Sequence, residues 1–264
     1  MIELEITLGD ILIRLFLGII IGFCIGLTSI GGGVLVLPIL TFLLKDPLVA
    51  VGTTTLYAFL TKIMATFQHL RLKTIAWKIS ILFLIGAIPG TILSAFWVSS
   101  KGNNEVFKSY LEQIIIAVIF LSVVVMIFNI IYEKKKIYSQ NLPKNNPLLL
   151  CTLGLICGGL VGATSIGGGI LVIPILIILF KLNTKKAVGT SILVAFMMTF
   201  ITSIIYGSRG ELDPITSVIM AIGSLYGVQL GSKLSVKLPD LKLKIIVLIL
   251  IIIGALMMTF KNLN

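Results

Sequence analysis

Thr28 and Ser29 stand just before Gly31, Gly32 and Gly33 in the run GLTSIGGGVLVLPIL (Gly26–Leu40), and the run returns 136 residues later. There Thr164 and Ser165 precede Gly167, Gly168 and Gly169 in GATSIGGGILVIPIL (Gly162–Leu176), with 12 of 15 positions identical. Hydroxyls donate hydrogen bonds, and glycines let a ligand approach the backbone closely. Each glycine also costs about 1 kcal/mol in a helix interior relative to alanine, so three in succession break a helix. A short apolar stretch follows each triplet and is expected to restart as helix. The N–H groups of Gly33, Val34 and Leu35, and of Gly169, Ile170 and Leu171, would then be free donors at helix starts carrying about +0.5 charge. Such donors hold small oxyanions.

Further hydroxyls lie downstream at a matching offset. AVGTT (Ala50–Thr54) offers Thr53 and Thr54, and AVGTS (Ala187–Ser191), 137 residues on, offers Thr190 and Ser191. Lys62 is the one cation inside an expected span. It reads either as a counter-charge for the anion or as a side chain snorkelling to the interface. Its equivalent in the second copy is Thr199, so the duplication does not demand a charge. His69, the single histidine, reads either as a proton relay or as an interfacial anchor. Pro38 and Pro174 fall about five residues into the short stretches, where a proline frees helix carbonyls. No carboxylate occupies mid-span and no nucleophile–base pair or metal-type cluster is present, so no enzymatic activity, metal or cofactor is expected. Small residues also mark close helix packing in membranes, which is the competing reading of these motifs.

The elements that must position these groups are membrane helices. The chain is 58% hydrophobic and 12% charged, with a mean hydropathy of +1.15, about half the charge of a soluble domain. Apolar runs such as Leu111–Tyr132 reach the roughly 20 residues that span a bilayer. The net charge of +11 would suggest nucleic acid in a soluble protein. Here the basic residues sit in short loops, where topology accounts for them. Cys24, Cys151 and Cys157 fall in apolar segments without CxxC spacing and read as small apolar side chains. Glu3, Glu5 and Asp10 precede the first apolar run, so no cleavable signal peptide is expected.

In chain order, an arm from about Ile11 to the glycines is followed by a short piece over Val34–Leu44. Helices are expected over Leu48–Leu70, over Ile75–Val98 with GAIPG (Gly86–Gly90), and, after a polar loop over Ser99–Ser109, over Leu111–Tyr132. Residues 133–147 form a basic linker between a first repeat, 1–132, and a second, 148–264. The second repeat follows the same programme, from an arm over Leu148–Ile166 to a short piece over Ile170–Phe180.

Loop charges choose the topology. If the short pieces merely extend the arms, the chain crosses eight times and 20 loop Lys and Arg residues divide evenly. If each triplet is the tip of a re-entrant hairpin, Arg14, Lys45, Lys101, Lys108, Arg209 and Lys261 fall on one side and 14 on the other. The positive-inside rule favours the second division. The expected fold is therefore an all-α polytopic membrane protein of two inverted-topology repeats. Each repeat is a re-entrant helical hairpin with a Gly-rich tip plus three transmembrane helices, giving about eight helical hydrophobic segments. Both termini would be extracytoplasmic and the linker cytoplasmic, although the first arm is long enough to cross fully.

The doubled GLTSIGGGxLxxPIL, the AVGTS, the GAIPG and the GxxD at Gly210–Asp213 resemble the TauE/SafE family of membrane permeases over essentially the whole chain. The resemblance implies a secondary transporter of the cell (plasma or inner) membrane, exporting sulfite, an organosulfonate or a related sulfur oxyanion. The TSIGGG and AVGT segments would line its path. An anion channel built on the same glycine breaks, or a permease for a non-sulfur organic anion, are the alternatives. The partners implied are a small anionic substrate and the lipid bilayer, not nucleic acid. The oligomeric state stays open between monomer and homodimer.

Overall fold

The computed structural model describes residues 7–28, 33–102, 104–134, 146–235 and 240–263; Ser29, Gly31, Gly32 and most of the linker lie outside them. The described residues form ten helices joined by short turns, with no strand among them. The first repeat supplies α1 (Leu8–Thr28), α2 (Gly33–Leu44), α3 (Pro47–Arg71), α4 (Trp77–Ser100) and α5 (Glu105–Lys134). The second supplies α6 (Pro147–Thr164), α7 (Val172–Ile178), α8 (Thr184–Ser208), α9 (Pro214–Ser235) and α10 (Asp240–Leu263). Seven of these, α1, α3, α4, α5, α6, α8 and α9, are long and apolar enough to cross a membrane.

Local chemistry sets the starts. Asp46 caps α3, its carboxylate accepting from the N–H groups of Leu48 (2.8 Å) and Val49 (3.3 Å), with Pro47 in the first turn, where its missing N–H costs nothing. Asn146 and Pro147 do the same for α6, and Asn183 caps α8. The expected polar loop over Ser99–Ser109 is mostly helix. Asn104 accepts from Val106 N–H at 2.9 Å and starts α5 there, four residues beyond the end of α4.

Packing interlaces the repeats. Helix α1 lies along α9 and α4 along α6, while α3 crosses α8 at the centre and α5 meets α10. Exchanging the two copies turns the α1–α9 pair into the α6–α4 pair and returns α3–α8 and α5–α10 to themselves. Both long seams close on small residues. A Cβ on Gly18 or Gly22 would strike the backbone of Met220 or Ser224, and one on Gly223 or Gly227 the backbone of Leu15 or Ile19. On the other seam, Gly86 and Gly90 abut Cys151 and Leu155, and Gly154 and Gly158 abut Phe83 and Ala87. The GAIPG glycines are thus contact points that let backbones touch. None of the three cysteines forms a disulfide, and Cys157 is buried.

Two clusters of contacts mark the ends of the bundle. At one, Arg14 of α1 faces Asp213 at 3.9 Å, Lys108 bridges Asp46 and Glu105 at 2.9 Å each, and Ser99 donates to Glu211. The start of α1 and the end of α2 therefore share this end. At the other, Gly189 of α8 lies against Thr74 and His69, and the Ala76 N–H donates to Thr190 Oγ1. Arg14, counted as a loop charge in the sequence, sits inside α1 and is only 8% exposed.

Candidate functional site

Helix α6 ends because Ser165 turns left-handed (φ 58°), its N–H donating to Val161 O at 2.7 Å. Gly167 follows at φ +121°, a conformation that suits glycine alone. The chain then makes a turn before α7. This turn, together with the start of α2 and the middles of α3 and α8, lines a small, partly open pocket.

Of the residues nominated by the sequence, Gly33, Lys62, Ser165, Gly167, Gly168 and Gly169 line this pocket together. The two glycine breaks touch: a Cβ on Gly33 would collide with the Ser165 carbonyl. One on Gly168 would lie 2.6 Å from the Ala195 Cβ. The Ser165 hydroxyl is buried and has no hydrogen-bond partner among the described residues. Lys62 Nζ reaches Ala58 O, on its own helix, at 3.4 Å. No carboxylate is among the described lining residues.

The remaining hydroxyls are engaged elsewhere. Thr53 Oγ1 accepts from Asp213 N–H and Thr190 Oγ1 from Ala76 N–H, both at 2.9 Å. Thr54 donates to Ala50 O, Ser191 to Val188 O and Thr164 to Leu160 O at 2.7–2.8 Å. None of these five is on the pocket wall. Thr28 ends α1, and Ser29, Gly31 and Gly32 are outside the described residues. His69 stands in the last turn of α3 with Nδ1 2.8 Å from Thr74 Oγ1, away from the pocket.

The second short helix starts later than expected: α7 begins three residues after Gly169. The Leu171 N–H, expected to be free, donates to Gly167 O at 3.2 Å, and Ile173 N–H to Gly169 O at 3.1 Å. The second repeat thus meets the pocket with a turn and its glycine backbone. Thr199, which also lines the pocket, was not nominated. The 137-residue offset from Lys62 reaches it in the sequence, where it counts only as the uncharged equivalent of that lysine.

Comparison with known proteins agrees over almost the full length. The family model "Sulfite exporter TauE/SafE" matches residues 14–258. The chain is 31% identical over 248 residues to "Probable membrane transporter protein YjnA" of Bacillus subtilis (strain 168), covering 92% of this chain and 97% of that one. It is 33% identical over 260 residues to "Probable membrane transporter protein MJ0441" of Methanocaldococcus jannaschii, covering 89% and 92%. No solved structure matches.

Proposed function

The chain belongs to the sulfite exporter TauE/SafE family of membrane transporters, and from that premise we propose that it moves a small oxyanion, sulfite or an organosulfonate, outward across the cell membrane by alternating access. One observation carries the reading. The pocket is lined by equivalent residues from both repeats: Gly33 with Gly169, Val34 with Ile170, and Lys62 with Thr199. In transporters built from repeats the substrate sits at the repeat interface, about which the halves rock. The described lining offers glycine backbone, the Lys62 ammonium and the Ser165 hydroxyl, which has no partner among the described residues, and it carries no carboxylate. Those are donors for an anion. The expected contributions of the Thr28 side chain and of Ser29, Gly31 and Gly32 fall outside the described residues.

Contacts at the bundle ends support inverted repeats with re-entrant hairpins. The start of α1 and the end of α2 share the end marked by Asp213, Asp46 and Lys108. Helix α8 begins at the opposite end, beside Thr74, so it runs against α3. The excess of basic loop residues supports a cytoplasmic linker.

The test is flux in liposomes holding the purified protein. Labelled sulfite uptake that saturates and shows counterflow is expected, and Gly168→Leu should abolish it while the protein still inserts. Ohmic current in place of counterflow would establish a channel. Undiminished uptake by the Gly168→Leu protein would remove the pocket from the path.

A further inference from the structure

Lys62 and Thr199 occupy equivalent positions in the two repeats and line one pocket from opposite copies. Lys62 is the only charged side chain among the described lining residues. Its single long hydrogen bond, 3.4 Å to Ala58 O, leaves donors for a ligand. Thr199 is 2% exposed, and its hydroxyl donates to Ala195 O at 2.8 Å and Phe196 O at 3.2 Å. It brings neither charge nor a free donor. Ser165, 5% exposed, brings a hydroxyl without a partner. The described lining therefore presents one positive charge, one hydroxyl without a described partner and glycine backbone.

A buried site penalises any charge left unmatched. A monoanion neutralises Lys62, whereas a dianion leaves one negative charge without a partner. We infer that the number of cations at positions 62 and 199 sets the valence of the anion, so that the pocket with Lys62 alone takes a compact monoanion, a sulfonate or hydrogen sulfite, and rejects dianions such as sulfate. The inference rests on the oxyanion-transport reading and adds charge selectivity to it. Lys62 is then the specificity-determining residue. Because position 199 faces the same cavity, the charge can be moved there.

The experiment measures binding to the purified full-length chain as thermal stabilisation, with methanesulfonate and sulfate as probes. The unaltered protein should bind methanesulfonate at least tenfold more tightly than sulfate. Lys62→Met should weaken methanesulfonate binding about tenfold or more, as expected for loss of a charge-assisted contact. The double variant Lys62→Thr/Thr199→Lys should recover at least tenfold over Lys62→Thr alone. Thr199→Lys with Lys62 retained should narrow or reverse the preference over sulfate. A methanesulfonate-to-sulfate ratio unchanged in both Lys62→Met and Thr199→Lys overturns the inference. If Thr199→Lys fails to insert, Lys62→Met and Lys62→Gln decide it, and undiminished methanesulfonate binding in both refutes it. A native chain that binds neither probe and moves no sulfite defeats the transport reading, and the inference with it. Methanesulfonate binding indifferent to Lys62 defeats the inference alone.

Discussion

The Thr53 hydroxyl oxygen accepts a hydrogen bond from the Asp213 N–H at 2.9 Å, fastening the start of α9 to α3 across the two repeats. Thr190 and Ala76, each 137 residues removed from its equivalent, form the same bond at the same distance. Thr53→Val and Thr190→Val keep the shape and remove the acceptor. Each should lower stability by about 1 kcal/mol, read as a fall in the thermal midpoint in detergent. Serine at either position should restore most of it. A valine variant as stable as the parent would mean that the threonine does not hold its corner.

Ser165→Ala should separate folding from binding. Its hydroxyl is buried without a partner, so deleting it should leave the ligand-free protein as stable or up to about 1 kcal/mol more stable. Anion affinity should fall about fivefold if the hydroxyl contacts the substrate, the equivalent of about 1 kcal/mol. Loss of stability together with unchanged affinity would assign Ser165 to the fold.

Much of this was legible in the sequence because the signals are local. Glycine triplets and apolar runs announced the breaks and most helix spans, and the doubled motif announced the family. What escaped depended on distant partners. Arg14 reads as a loop charge until Asp213, far along the chain, is set beside it. The stretch over Ser99–Ser109 reads as polar loop, yet Asn104 caps α5 and Lys108 bridges Asp46 and Glu105. The threonines of AVGT look alike whether they hold a ligand or a backbone N–H. Only the fold reveals that the Thr53 and Thr190 hydroxyls are taken by backbone, and that Lys62 and Thr199 share a wall.

Glu211 gives the protein a pH dependence with a defined sign. Burial raises its carboxyl above the ordinary value and Asp46 adds to the rise, while the Ser99 hydroxyl and Arg209 pull the other way. The folded protein therefore holds this proton at pH values where the unfolded chain has lost it. Stability falls as pH rises from the ordinary glutamate range to the raised value, and is level above it. Glu211→Gln should flatten that part of the profile of thermal midpoint against pH. A slope that survives the substitution belongs to another group.

Reporter fusions examine the inversion. A reporter joined after Lys136 is expected in the cytoplasm and one joined after Lys261 outside. Both on the same side would leave the second repeat with an even number of crossings and refute the inverted arrangement.

The glycine seams also constrain how the chain can be made. Gly18 of α1 closes on Met220 of α9, about two hundred residues downstream. At 5–20 residues per second, roughly 10–40 s of synthesis separate the two surfaces. Through that interval α1 is in the membrane without its partner, and the glycine stripe that later admits α9 faces lipid or the insertion machinery. The first repeat is therefore an orphan until the second is nearly complete. Cutting the gene at the linker should yield two fragments that are each degraded alone and rescue one another only when made together.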